Sequence, residues 1–180
     1  MQSELRHLFK EYYENPFTLK VFGKSSISEL YRKQITADLI HAMPSLKIED
    51  YLRVKPEIFE KMDYLVIAFD SHNNRAIGLL AACWQYGKKQ FLQIFTILIG
   101  EQYQDTLLIK KLYKVLFAQI ADFPDIIAFK TFNSKSYNAM KVFARIEGVS
   151  VYPKLNGLQD SQIMQIAQEI AKTLEPNLNF

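Results

Sequence analysis

The chain has 180 residues, of which 49% are hydrophobic and 23% are charged. This length and composition favour a single domain over 1–180 with a full hydrophobic core. The net charge is only +3 and the lysines are dispersed along the chain, which argues against a protein that binds nucleic acid.

The cysteine content and the apolar runs indicate the compartment. The single cysteine, Cys83, lies in the apolar run AIGLLAACW, so a disulfide within the chain is excluded and a buried small side chain is favoured. The charged start MQSELRHLFKEYYENP does not predict a signal peptide, and no run predicts a membrane span. We expect a cytoplasmic protein that does not bind membranes, with export by a route without a cleaved signal left open.

The first third of the chain predicts one strand among helices. The predicted elements are an N-terminal helix over 1–15, a strand over 17–23, a helix over 25–43 and broken helical segments over 44–62. Ser26 is the predicted N-cap of the second helix because Glu29 follows three residues later, as in a capping box. The predicted apolar side of that helix consists of Ile27, Leu30, Ile35, Leu39 and Ile40.

From residue 63 onwards the pattern changes to strands. The predicted elements are strands over 63–70, 76–87 and 91–100, a helix over 106–123, a strand over 125–132, a helix over 134–148, a strand over 149–155 and a C-terminal helix over 158–174. Short turns join the first three strands, which predicts an antiparallel meander. The helical crossover between 91–100 and 125–132 predicts that these two strands are parallel neighbours. The predicted fold class is therefore α/β (α+β), with a central mixed, mainly antiparallel sheet flanked by helices.

This order of elements resembles the GNAT superfamily of acyl-CoA-dependent N-acyltransferases over residues 17–155. TILIGEQYQDTLLIKKL occupies the place of the superfamily's strand-loop-helix motif. FKTFNSKSYNAMKVF resembles the later strand-helix segment, and VYP looks like a variant seen in some members of this fold. The resemblance implies a single GNAT-like domain in which a bulge splays strand 91–100 from strand 125–132. The pantetheine arm of acetyl-CoA would bind in the resulting groove as an additional strand would.

The resemblance also implies cofactor-binding residues. The strand residues Ile97, Leu98 and Ile99 would contact pantetheine through their backbone, and Asn133 would approach it from the other side. The pyrophosphate would bind at a helix N-terminus. The loop residues concerned are Gln104, Asp105, Thr106, Leu107, Leu108 and Ile109.

This loop departs from the superfamily pattern, which is approximately [R/Q]-x-x-G-x-[G/A]. Gln104 matches, but Leu107 and Ile109 stand where the glycine and the second small residue belong. Asp105 adds a negative charge beside a negative ligand. An alternative hypothesis follows, in which Asp105 or Thr106 caps the helix and Leu107 and Ile109 fill the old cofactor groove.

Two functions are therefore open. The first is an N-acetyltransferase that transfers the acetyl group of acetyl-CoA to an unidentified amine, on a small molecule or a peptide. The alternative is a GNAT-fold protein that has lost acyl-CoA binding and acts as a binding or interaction module. A different or longer acyl donor is a third, weaker hypothesis, and a homodimer is left open.

Acyl transfer requires a base for the amine, a donor for the oxyanion and an acid for the thiolate. Glu101, just past strand 91–100, is the best-placed carboxylate, and the backbone N–H near Ile97 would serve the oxyanion. Tyr137 or Tyr103 would act as the acid, since the superfamily's catalytic tyrosine aligns on Met140. Three scattered histidines predict no metal site. Trp84 and Tyr86, where strand 76–87 ends, would border an acceptor pocket.

Overall fold

The computed structural model describes residues 16–24, 26–104, 106–131, 134–146, 148, 150–152 and 160–175. The predicted helix over 1–15 lies outside these residues, as do Asp105 and Asn133. The described residues fall into two compact units, one within Met1–Cys83 and Ile94–Phe123 and the other within Trp84–Gln93 and Pro124–Phe180. The single domain over 1–180 stays a prediction.

The described residues form one sheet with helices before, between and after its strands. In chain order the elements are β1 (Phe17–Phe22), α1 (Glu29–Ala42), α2 (Ile48–Val54), α3 (Glu57–Glu60), β2 (Tyr64–Asp70), β3 (Ala76–Gln85), β4 (Phe91–Ile99), a 3₁₀ helix (Glu101–Tyr103), α4 (Leu108–Ala118), β5 (Ile127–Phe129), α5 (Ser134–Ile146) and α6 (Ser161–Leu174). The strands are ordered β1-β2-β3-β4-β5. Neighbouring strands run antiparallel except for the parallel pair β4–β5. The predicted fold class is confirmed, and the splay of that pair stays a prediction.

Some predicted boundaries are wrong at the start of α1. Ser28, not Ser26, is the N-cap, because its hydroxyl accepts a hydrogen bond from the N–H of Tyr31 at 3.3 Å. Ser26 instead donates to the carbonyl oxygen of Gly23 and closes the turn after β1. Leu30, predicted on the apolar side of the helix, is 80% exposed. The helix therefore begins at Glu29, four residues later than predicted.

Other predicted elements are shorter than expected. The parallel strand predicted over 125–132 corresponds to β5, which spans Ile127–Phe129. The helix predicted over 106–123 corresponds to α4, which spans Leu108–Ala118. The C-terminal helix begins at Ser161 because Asp160 caps it by accepting from two backbone N–H groups of its first turn. Residues 150–152 are not in a strand, and the rest of the strand predicted over 149–155 lies outside the described residues.

Alternation along β2 places helices on both faces of the sheet. Leu65, Ile67 and Phe69 enter a buried cluster, here called the core cluster, that also contains side chains of α1, α2 and α3. Val66 and Ala68 lie between them and point to the other face. Helix α4 packs across β1 and β2. Its buried residues are Leu108, Leu112, Tyr113 and Leu116.

A buried carboxylate ties α1 to the first residue of β3. Asp38 is 7% exposed, and its Oδ2 accepts from the N–H of Ala76 at 3.0 Å. Its Oδ1 accepts from the side-chain amide of Gln34 at 3.0 Å. Because a buried N–H without an acceptor costs about 1–3 kcal/mol, Asp38 holds the start of β3 beside the second half of α1.

Two glycines allow β3 and β4 to approach closely. The N–H of Gly100 donates to the carbonyl oxygen of Ile77 at 2.7 Å. A Cβ added at Gly100 would lie 2.9 Å from that oxygen and 3.2 Å from the Cβ of Ala42. A Cβ added at Gly78 would lie 2.9 Å from the carbonyl oxygen of Leu98. Since the nearest atoms at both positions are backbone oxygens, neither position accepts a side chain without a backbone shift.

We expect Gly100→Ala to lower the free energy of unfolding by about 1–3 kcal/mol, because overpacking forces the backbone to move. Gly23→Ala is the matched control, since nothing lies within 4 Å of the added Cβ. That control should stay within about 0.5 kcal/mol of the unaltered protein. Urea unfolding measures both variants, and equal stabilities for the two would contradict the close approach described here.

Candidate functional site

The alternation of side chains between the two faces of the sheet is interrupted within β4. Phe95 and Leu98 both pack against the core cluster. Residues three apart in a regular strand point to opposite faces, so one residue is accommodated out of register between them. We infer a β-bulge from this packing. Ile97 lies within the inferred bulge, in the strand for which the GNAT resemblance implies one, and the implied role of the bulge stays a prediction.

The chain turns directly from β4 into a series of short hydrogen-bonded turns. The N–H of Tyr103 donates to the carbonyl oxygen of Gly100 at 2.8 Å, and the N–H of Thr106 donates to that of Tyr103 at 3.2 Å. The Thr106 hydroxyl also donates to the carbonyl oxygen of Tyr103, at 2.6 Å. It accepts in turn from the N–H of Leu108 at 3.2 Å. Thr106 therefore links the turns to the first residue of α4.

The first turn of α4 presents backbone N–H groups. A helix leaves these groups without acceptors inside the helix, and Thr106 satisfies only that of Leu108 among the described contacts. Leu107, the N-cap residue, has a φ of −75°, so this backbone does not require the glycine of the superfamily pattern. Its side chain is 45% exposed and is not packed into an interior. Leu108, in contrast, is fully buried and anchors the helix start.

Glu101 is held by the turn that follows α1. Its Oε1 accepts from the backbone N–H of Ser45 at 2.8 Å and from the Ser45 hydroxyl. The bond from that hydroxyl, followed by the backbone bond, lowers the pKa of Glu101 below its usual range. A carboxylate stabilised in this way is a weaker base, but it stays charged at neutral pH.

Tyr103 is paired with a second carboxylate. Its hydroxyl donates to Oδ2 of Asp70 at 2.7 Å. Burial, and then the hydrogen bond to Asp70, raises the pKa of Tyr103 to about 12. The same hydrogen bond is the main reason why the pKa of Asp70 is lowered. The phenol therefore retains its proton strongly and has its hydroxyl committed to Asp70.

A cleft of about 180 Å³ lies between α1, the β2–β3 turn and the 3₁₀ helix. It collects Asp38, Asp70 and Glu101, together with His41 and Arg75. Each of the three carboxylates already accepts hydrogen bonds from neutral groups of the protein. The described residues bring no group of three or more His, Cys, Asp or Glu side chains close enough to hold a metal ion. The absence of a metal stays a prediction.

The remaining predicted residues lie in the other unit or outside the described ranges. Tyr137, on α5, is half-buried, with the Lys141 ammonium 5.7 Å from its ring centre. Trp84 is half-buried at the end of β3. Tyr86, predicted beside it at an acceptor pocket, is 74% exposed. Asn133 lies outside the described residues, so its role stays a prediction.

Several polar contacts near β4 were not predicted. Tyr51 of α2 donates to Oγ1 of Thr96 at 2.8 Å. Ser45 binds Glu101 across 56 residues of sequence. No local pattern marks these partners, because each pair is formed by tertiary packing.

Among the described helices, none has both the length and the apolar character needed to cross a membrane.

The comparisons with known proteins identify the fold. No family model matches the chain, and no curated protein matches it in sequence. An integron cassette protein from the mobile metagenome of V. cholerae is 11% identical with a TM-score of 0.53, covering 86% of this chain and 99% of its own. Aminoglycoside 6′-N-acetyltransferase AAC(6′)-Ih from Acinetobacter baumannii is 13% identical with a TM-score of 0.51, covering 80% and 99%. Aminoglycoside N-acetyltransferase AAC(6′)-Iy in complex with CoA is 13% identical with a TM-score of 0.50, covering 81% and 95%.

The chain thus has the fold of the GNAT acetyltransferases, as the sequence predicts. The likeness extends over most of each neighbour's chain, while the sequence identity stays at 11–13%. These comparisons show neither the activity of this protein nor its acceptor.

The Tyr103–Asp70 bond should make the stability of the protein depend on pH at both ends of the scale. The lowered pKa of Asp70 stabilises the folded protein above the unfolded pKa of about 3.9. That contribution is lost as the pH falls through the lower folded pKa. The raised pKa of Tyr103 stabilises the folded protein below its unfolded pKa of about 10, and this contribution is lost as the pH rises towards about 12.

We expect Tyr103→Phe to lower the free energy of unfolding at neutral pH and to reduce its loss between about pH 7 and pH 3. Urea unfolding at the two pH values measures this difference. Tyr86→Phe is the control, because it makes the same change at an exposed tyrosine. A Tyr103→Phe profile that parallels the unaltered protein over this range would show that the bond does not set the pKa of Asp70.

Proposed function

We propose that the protein is an N-acetyltransferase that transfers the acetyl group of acetyl-CoA to an amine on a small molecule or a peptide. The observation that carries this proposal is the packing of both Phe95 and Leu98 against the core cluster, from which we infer the bulge in β4, followed along the chain by the 3₁₀ helix and the N-terminus of α4. A bulge leaves backbone groups of a strand unpaired, and a helix start offers N–H groups to an anion. Together these supply donors for both halves of a CoA molecule.

In this proposal the pyrophosphate binds at the first turn of α4. The N–H groups of Ile109 and Lys110 follow that of Leu108 and belong to the positive end of the helix dipole. The exposed Leu107 side chain leaves the backbone around it accessible. Gln104 and Thr106 would complete the loop, and Asp105 would border it. The Leu107 side chain is therefore compatible with a phosphate bound by backbone groups.

The pantetheine arm and the thioester bind along β4. The backbone of Ile97, Leu98 and Ile99 would contact pantetheine, and the N–H of Ile97 would donate to the acyl carbonyl oxygen. Charge develops on that oxygen as the amine attacks, so a donor already in place lowers the barrier. The C–N bond forms, the C–S bond breaks, and the thiolate takes up a proton.

Two acid–base residues are proposed in this reaction. Glu101 stays the candidate base, but its bonds to Ser45 weaken its basicity. We propose that it acts by attracting the positively charged amine, which then loses its proton to water. Tyr137 stays the candidate acid for the thiolate. Tyr103 is not proposed as the acid, because Asp70 occupies its hydroxyl.

The structural neighbours support the class of reaction and a small-molecule amine as the acceptor. AAC(6′)-Iy was solved in complex with CoA, and AAC(6′)-Ih is an aminoglycoside 6′-N-acetyltransferase. An interaction module that has lost acyl-CoA binding is the second candidate function. The exposed apolar side chain of Leu107 at the phosphate loop favours it.

Calorimetric titration with acetyl-CoA, CoA and pantetheine distinguishes these functions. We expect micromolar binding of the first two ligands and at least about tenfold weaker binding of pantetheine, which lacks the pyrophosphate. Leu107→Glu should weaken CoA binding about tenfold by charge repulsion and leave pantetheine binding unchanged. Glutamate is favourable at a helix N-terminus, so this variant should fold.

Leu46→Glu is the matched control, because Leu46 is also exposed and lies outside the loop. Its CoA affinity should equal that of the unaltered protein. Absence of CoA binding at millimolar ligand would refute the acetyltransferase and favour the interaction module. If CoA does bind, release of its thiol from acetyl-CoA in the presence of a panel of amines would identify the acceptor.

A further inference from the structure

Helix α2 places a tyrosine against the bulge in β4. The Tyr51 hydroxyl donates to Oγ1 of Thr96 at 2.8 Å, and both side chains are partly buried. Ile48 and Leu52, which flank Tyr51 on the same helix, are buried in the core cluster. The Tyr51 ring itself packs against that cluster. The ring is therefore held by packing at its base and by a hydrogen bond at its tip.

The same side of α2 also covers the residue before Thr96. Lys55 is four residues after Tyr51, and its ammonium lies 5.5 Å from the centre of the Phe95 ring. Residues four apart lie on one side of a helix, and this side continues past its last turn. The end of α2 thus faces Phe95 and Thr96, the two residues that precede Ile97 in the bulge.

We propose that Tyr51 determines acyl specificity by limiting the donor to a short acyl group. This inference rests on the proposed function, in which the N–H of Ile97 binds the acyl carbonyl. An oxygen bonded to that N–H lies about 2.9 Å from the nitrogen, next to the neighbouring Thr96. An acetyl group has only a methyl group beyond its carbonyl carbon, so in this proposal it does not need the space that the Tyr51 ring occupies.

A longer chain that extends towards α2 meets the Tyr51 ring. To pass, it must move the ring and break the bond to Thr96. Two partly buried hydroxyl groups would then lose their partner, which makes the displacement unfavourable. The anchoring of α2 by Ile48 and Leu52 prevents the helix from yielding instead. The hydroxyl pair therefore closes the α2 side of the bulge to long acyl chains.

The test is calorimetric titration of the full chain with CoA, acetyl-CoA and hexanoyl-CoA. The unaltered protein should bind acetyl-CoA at least about tenfold more tightly than hexanoyl-CoA. In Tyr51→Ala this ratio should fall to about threefold or less, through a gain in hexanoyl-CoA affinity. Tyr51→Phe retains the ring and should retain most of the discrimination. Val54→Ala, which truncates an exposed side chain on the same helix, should match the unaltered protein.

CoA without an acyl group separates this inference from the proposed function. Equal CoA affinity in the unaltered protein and Tyr51→Ala shows that the variant is folded and that its CoA site is intact. If Tyr51→Ala does not fold, Tyr51→Leu removes the ring but keeps apolar packing, and the same ratio is measured. Unchanged discrimination in the folded variant, or none in the unaltered protein, overturns the inference alone. No CoA binding by the unaltered protein overturns the proposed function and the inference with it.

Discussion

The amide of Gly100 and the carbonyl oxygen of Ile77 meet at 2.7 Å, at the point where β4 ends. Ile77 is the extra residue where the pairing of β2 with β3 shifts register, because Ala68 pairs with Gly78 and Phe69 with Ala76. The extra residue in β3 thus supplies the carbonyl oxygen that accepts from Gly100, directly after the last residue of β4. Only glycine fits there, since a Cβ would lie 2.9 Å from the same oxygen.

The candidate site depends on this contact. Once Gly100 is fixed, the 3₁₀ helix follows and brings Glu101 to Ser45 and Tyr103 to Asp70. These two carboxylate bonds connect the 3₁₀ helix to the turn that follows α1 and to the end of β2. The Thr106 hydroxyl then accepts a hydrogen bond from the first N–H of α4 and so joins the turn to the helix. A loop without glycines after residue 100 is therefore held in place by side-chain hydrogen bonds.

The sequence predicted the elements that are governed by local patterns. The apolar runs of β2, β3 and β4 and the amphipathic pattern of α4 gave the correct order of strands and helices. The start of α1 was misplaced because two serines lie close together, and only the fold shows that Ser28 is the cap and Ser26 belongs to a turn. A boundary chosen between similar residues is decided by tertiary contacts.

Local sequence patterns predicted less of the candidate site than of the fold. The bond between Asp38 and Ala76 spans 38 residues, and that between Tyr51 and Thr96 spans 45. Neither partner in these pairs is marked by spacing or composition. The family resemblance pointed to the loop at Leu107 but implied that its bulk opposes phosphate binding. Leu107 has an exposed side chain and a backbone that needs no glycine, and phosphate binding at this loop stays a prediction.

The proposed function requires CoA to bind along β4 and at the start of α4. Amide spectra of the 21.0 kDa protein, labelled with ¹⁵N and recorded with and without CoA, measure this directly. We expect the largest shifts at Ile97–Ile99 and at the residues from Thr106 to Lys110. Amides of these residues that stay unmoved at saturating CoA, or shifts confined to other parts of the chain, would contradict it.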